Sequence, residues 1–134
     1  MVSDARQKAK RQDAYARGLD AEDQAAALLE TLGLYEIDRR ARMQGGEIDL
    51  VVEDTQSLVF VEVKARKSLD EGAGSISARQ QARIRTAIRH WLSTHDPQGA
   101  RLARQSVRCD VVLVAPGHEP VHIPNAFPAA EETF

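Results

Sequence analysis

Two strand-like segments, Glu47–Glu53 (EIDLVVE) and Leu58–Ala65 (LVFVEVKA), stand either side of the turn Asp54-Thr55-Gln56-Ser57. Both are rich in β-branched residues, and the short polar connection folds them back on each other, which predicts a β-hairpin. No other feature constrains the chain so strongly. The order of elements around the hairpin sets the fold class, and the charges placed on it set the chemistry.

Upstream, Ala25, Leu28, Leu29 and Leu32 recur at i, i+3, i+4 and i+7, and Gly33 follows in the usual stop position, so Asp20–Leu32 reads as an amphipathic helix. Leu34–Met43 reads as a strand that closes through Gln44-Gly45-Gly46. Downstream, Arg66–Ser75 is a glycine-containing loop, and Ser77 with Gln80 gives the S-x-x-Q capping box of a second helix. Its apolar stripe is Ile84, Ala87, Ile88, Trp91 and Leu92, with Arg79, Arg83, Arg85 and Arg89 turned away from it. Arg108–Val114 has the nearly continuous apolar run of a strand covered on both faces. Prolines at 116, 120, 124 and 128 then leave room only for a short edge strand around Val121–Ile123. Helix, three strands, helix, strand is the order of a mixed sheet flanked by helices, and the fold class is α/β.

A chain of 134 residues, 43% hydrophobic, is the size of one domain. Residues 1–17 read as a polar N-terminal extension, 18–127 as the domain and 128–134 as a tail. No window reaches the roughly 18 apolar residues of a membrane span, and the polar start lacks a secretory leader. The expectation is a cytoplasmic protein without membrane partners. The single cysteine, Cys109, reads as a buried strand thiol, which excludes a disulfide or a cysteine metal site. His90, His95, His118 and His122 have no ligand spacing, and no glycine-rich phosphate motif is present, so nucleotide cofactors are not expected.

Net charge is −2, but it is unevenly spread: residues 19–63 carry eleven acidic and three basic side chains, and residues 64–108 carry three and ten. An acidic cluster followed by a basic block suits carboxylates that hold cations beside arginines that hold phosphates. Solvated helix faces are the plainer explanation. On the hairpin, symmetric closure would place Asp49 opposite Glu62 and Glu47 opposite Lys64, with Ile48, Leu50 and Val52 on the other face. Two carboxylates about 5 Å apart repel by about 3 kcal/mol at an effective dielectric near 20. A divalent cation would offset that, and Lys64 could orient a bound water, which points to metal-assisted hydrolysis. The alternative is a wet face with Lys64 paired to Glu47. Glu22, on the same helical side as Ala25 and Leu29, either points inward to a partner or stabilises the helix start. Asp110, among apolar neighbours, completes the acidic cluster, braces the first helix or pairs with an arginine, the structural roles being favoured.

The blocks GLDAEDQAAALL from Gly18, GGEIDLVV from Gly45, VFVEVKAR from Val59, RCDVV from Arg108 and PNAF from Pro124 together resemble the YraN-like family of small bacterial proteins. The resemblance runs from Gly18 to Phe127. It implies a restriction-endonuclease-like fold, similar to archaeal Holliday-junction resolvases, with the D…(D/E)-x-K core matched by Asp49…Glu62-Val63-Lys64. It further implies Mg²⁺ (or Mn²⁺) held by Asp49, Glu62 and the Val63 carbonyl, Lys64 serving the attacking water, and Glu22 matching a helix-one acid of the resolvases. Arg66, Lys67, Arg79 and Arg83 would hold DNA phosphates, and a homodimer is the resolvase precedent. The chain departs from the family pattern at Ile48, Gln80 and Cys109. The expected function is a metal-dependent nuclease acting on DNA, branched or single-stranded. The rivals are a catalytically weak or inactive nucleic-acid-binding accessory protein, and a module whose basic helix meets an acidic protein.

Overall fold

The computed structural model describes residues 20–69 and 76–130. The N-terminal extension, the glycine-containing part of the loop before the second helix, and the last four residues lie outside them.

Residues 20–31 are helical (α1) and bury Ala21, Ala25 and Leu29. The helix ends in a Schellman motif: Gly33, at φ 83°, donates its N–H to the Glu30 carbonyl, and Leu34 donates to that of Leu29. This end turns Leu32 outwards, where it is 54% exposed, so the expected apolar stripe loses its last member. Leu34, one step past the glycine, fills the core in its place.

Five strands follow: β1 (Tyr35–Met43), β2 (Gly46–Glu53), β3 (Ser57–Ala65), β4 (Ser106–Val114) and β5 (Val121–Phe127), with α2 (Ala78–His95) between β3 and β4. They form one sheet in sequence order, antiparallel except for the β3–β4 pair, which is parallel because α2 carries the chain back across the sheet. The result is the expected α/β architecture. One core joins α1 to Leu50, Val52, Val59, Val61 and Val112. The other joins Ile84, Ala87, Ile88 and Trp91 of α2 to Val51, Phe60, Val111 and Leu113 on the opposite face. β3 and β4 thus alternate between two dry layers, which is why they read as continuous apolar runs.

Three local expectations need correction. Ser77 caps α2 by accepting from the Gln80 N–H, but the Gln80 side chain does not return to the cap and reaches β3 instead. Arg85 is not turned to solvent: it is half-buried, with Nη1 donating to the Pro128 carbonyl. β5 runs to seven residues because its ladder shifts at Pro124 and Asn125, the latter at φ 52°, and so absorbs a proline that a regular strand would reject.

Asp110 holds that irregular edge. Fully buried, its carboxylate accepts from Arg108 Nε and Nη2 (3.0 and 3.1 Å) and from the Asn125 N–H (2.9 Å), and it contacts His122 Nε2 at 2.7 Å. This is the arginine-pairing role among those considered. Asp110→Ala would leave three polar partners unmatched, and it is expected to cost about 2–4 kcal/mol, read as a lower urea midpoint with unchanged slope.

Candidate carboxylate site at the hairpin fork

The β2–β3 ladder keeps the expected register, Glu53 with Leu58, Val52 with Val59, Val51 with Phe60 and Leu50 with Val61, and stops there. Asp49 and Glu62, and Glu47 and Lys64, are therefore not ladder pairs. Continued pairing would bring the Val63 N–H to the backbone of Ile48. Asp49 Oδ2 accepts it instead, at 2.8 Å.

The cause is visible on the neighbouring strand. Arg39 pairs with Leu50 and Ala41 with Ile48, so Arg40 faces Asp49, and Arg40 has the left-handed φ of 49°. A left-handed residue in a strand breaks its alternation. Past this point the faces change phase: Ile48 packs in the α2-side core with Val51, not beside Leu50 and Val52 as regular alternation requires. Asp49 is the residue at the break, and its carboxylate turns to the backbone of β3. A residue's N–H and C=O point to the same side of a strand, so the Val63 carbonyl faces the Asp49 side as well.

Glu62 and Lys64 lie on the α2 face and are only about one-eighth exposed. Gln80 joins them: its Nε2 donates to Glu62 Oε1 at 3.0 Å, and its Oε1 accepts from Lys64 Nζ at 3.1 Å, with Lys64 Nζ 3.5 Å from Glu62 Oε1. Glu47 is exposed, and the Glu47–Lys64 pair of the plainer alternative is not formed. Burial, then the charge of Glu62 and that of Glu22, pushes the Asp49 carboxyl up to about 7. Glu62 is also raised by burial, against the pull of Lys64.

Glu22 is largely buried, and the partner it requires is Arg40, whose Nε lies 2.5 Å from Glu22 Oε2. The structure thus delivers Glu22 to an arginine at the break. Among the described residues, no three His, Cys, Asp or Glu side chains form a group able to hold a metal ion. Asp49, Glu62 and the Val63 carbonyl still fit Mg²⁺, which takes one or two carboxylates and keeps several waters. Two half-buried carboxyls, both raised by burial, mark a place short of positive charge.

Of the basic residues, Arg79 and Arg83 are exposed one turn apart on α2, and the Arg83 carbonyl lies near Gly46 at the start of β2. Lys67 is exposed, while Arg66 is half-buried with its N–H on the Val114 carbonyl. Sequence reasoning missed two residues. In sequence Gln80 reads as part of the cap, and only its departure from the pattern of the resembled family marks it. Arg40 carried no signal, since arginine has no preference for left-handed backbone.

The architecture is thus an α/β protein with a carboxylate–lysine cluster at the fork of its central hairpin. The chain belongs to the Uncharacterised protein family UPF0102, the YraN-like family, whose model matches residues 21–114. A UPF0102 protein of Methylorubrum extorquens is 44% identical over 119 residues, covering 89% of this chain and 90% of that one. Another from Mesorhizobium japonicum is 44% identical over 122 residues, covering 91% and 94%. Among solved structures, Pyrococcus furiosus SfsA in complex with Ca²⁺ aligns at 19% identity with a TM-score of 0.34, covering 83% of this chain. This chain spans 63% of that one, and at that score the likeness bears on neither activity nor substrate.

Two tests follow from the geometry. A carboxyl raised on folding binds its proton more tightly in the native state, so its contribution to stability falls as pH climbs from about 4 to about 7. Asp49→Asn keeps an acceptor for the Val63 N–H and removes the charge. In metal-free protein it is expected to raise the melting point at pH 8 by on the order of 5 °C and to flatten the slope between those pH values. At Arg40, glycine adopts the left-handed conformation freely and valine does not. Arg40→Gly is expected to keep the Val63 amide protected from hydrogen exchange, whereas Arg40→Val exposes it by losing the carboxylate bond.

Proposed function

We propose that this protein is a Mg²⁺-dependent nuclease that hydrolyses phosphodiester bonds in DNA. The observation that carries the reading is the cluster at the open end of the hairpin, where Asp49 holds the Val63 N–H and Glu62 and Lys64 are joined beside it by Gln80. Two carboxylates beside an oriented ammonium are more charge than the Val63 N–H alone requires, and they match what phosphodiester hydrolysis needs.

In this reading Asp49, Glu62 and the Val63 carbonyl hold Mg²⁺ or Mn²⁺. When bound, the ion supplies Lewis acidity at the phosphate and lowers the pKa of water. The chain's own residues do the rest. Gln80 fixes the Lys64 ammonium so that it can orient the attacking water or a non-bridging oxygen. Arg66, Lys67, Arg79 and Arg83 hold flanking phosphates, at an affinity that falls steeply with salt. Glu22 acts through Arg40 and is not placed as a metal ligand.

A second reading has its own observation. The Glu22–Arg40 and Glu62–Lys64 pairs leave the charges partly matched without any metal, as a catalytically silent nucleic-acid-binding protein of the same fold would. Cleavage of labelled single-stranded, duplex, flapped and four-way-junction DNA with Mg²⁺ or Mn²⁺ separates the two. Glu62→Ala and Lys64→Ala are each expected to lower the rate by roughly 100-fold or more while salt-sensitive binding persists. Cleavage that survives both substitutions belongs to a contaminant. Binding without cleavage in the wild type establishes the silent protein.

A further inference from the structure

Beyond the carboxylates, the carboxyl ends of the parallel strands β3 and β4 open into a cleft of about 820 Å³. Its volume lies in the range of small-ligand sites, and the carboxyl end of parallel strands is where α/β sheets receive ligands. Ala21 of α1, Ala65, Val114 and Ala115 form apolar walls, and Arg66, Lys67 and His118 stand around the opening. Arg66 is anchored there, its N–H on the Val114 carbonyl at 2.8 Å and its Nη1 on the Ala65 carbonyl at 3.1 Å. Asp20 and Glu119 also face the cleft, with Asp20 accepting from Gln24 Nε2 at 2.8 Å.

Apolar walls with cations, an amide and carboxylates at the edge match a heterocyclic base joined to a phosphate. The base edge offers both donors and acceptors, and the phosphate takes the cations. A duplex cannot enter such a cleft, and a base within a duplex is stacked out of reach. Position supports the same occupant. Arg66 follows Lys64 by two residues, about 7 Å along an extended strand. Glu62 and Lys64 face α2 while the cleft faces α1, so a strand passing over the end of β3 meets both.

We propose that this cleft takes one unpaired nucleotide of the DNA strand whose neighbouring phosphodiester lies at Asp49 and Glu62. The substrate class is then single-stranded or flapped DNA rather than continuous duplex. The inference rests on the nuclease reading for what lies at the carboxylates, but its test needs no turnover.

The measurement is fluorescence anisotropy of a labelled single-stranded oligonucleotide and a blunt duplex of equal length, in EDTA, with the full chain. Ala65 is exposed at the end of β3, so Ala65→Trp fills the cleft without entering the core. His118→Trp fills it from the opposite side, and thermal unfolding verifies that both variants fold. Loss of base contacts is expected to weaken single-strand binding about tenfold, leaving duplex binding within about threefold. Equal loss on both nucleic acids, no loss on either, or wild-type binding that favours duplex overturns the proposal, as does absence of binding. A free deoxynucleotide that competes as well as the oligonucleotide also overturns it, by assigning the cleft to a mononucleotide. Single-strand preference that both tryptophans abolish, in a protein that never cleaves, supports the cleft and refutes only the nuclease reading.

Discussion

The bond from the Val63 N–H to the Asp49 carboxylate replaces one that the hairpin would ordinarily make between backbones. A side chain in that place lets β2 part from β3 without stranding a buried donor, a cost that would otherwise oppose the fork. The parting leaves an opening between the strands, and Glu62 and Lys64 stand on the β3 side of it. Arg40 makes the exchange possible. Its left-handed backbone lies opposite Asp49 and shifts the phase of both strands, so that Ile48 and Ala41 return to the α2-side core beyond the break. The β1–β2 ladder resumes on both sides of the break, at Arg39–Leu50 and Ala41–Ile48, and Asp49 stands between them.

Electrostatics then follows from geometry. Asp49 and Glu62 are both poorly solvated, and each feels the other more strongly than it would in water. Lys64 opposes the rise on Glu62, whereas Asp49 has the added charge of Glu22 against it. Elsewhere the fold matches its charges carefully, as the four contacts of the buried Asp110 illustrate.

What could be read from the chain was whatever depends on local periodicity. Both helices, the hairpin, the apolar β4 and the register of the central pair follow from spacing and turn chemistry, because each is settled by residues a few positions apart. The carboxylate pair was legible as composition but not as geometry. Symmetric closure placed Asp49 opposite Glu62, and the real arrangement depends on a left-handed arginine on a third strand, a contact between segments that no short window contains. The roles of Gln80 and Glu22 were hidden for the same reason. A capping glutamine and a capping-box glutamine that leaves the cap look alike in sequence, and Glu22 finds its partner 18 residues away. β5 was underestimated because proline is penalised in regular strands, and the shift at Asn125 with its anchor on Asp110 is a tertiary device.

Gln80 links the cap of α2 to the carboxylate site on β3. The Ser77 cap fixes where α2 begins, and therefore which residue of its first turn faces the end of β3. One step either way around a helix is about 100°, which would carry the amide away from Glu62 and Lys64 altogether. The start of α2 is thus set by a local capping rule, while its consequence is a contact with a strand 16 and 18 residues earlier. An amide suits this place better than a charged group. It can donate to a carboxylate and accept from an ammonium at once, and it adds no charge to a site that already holds two carboxyls and a lysine.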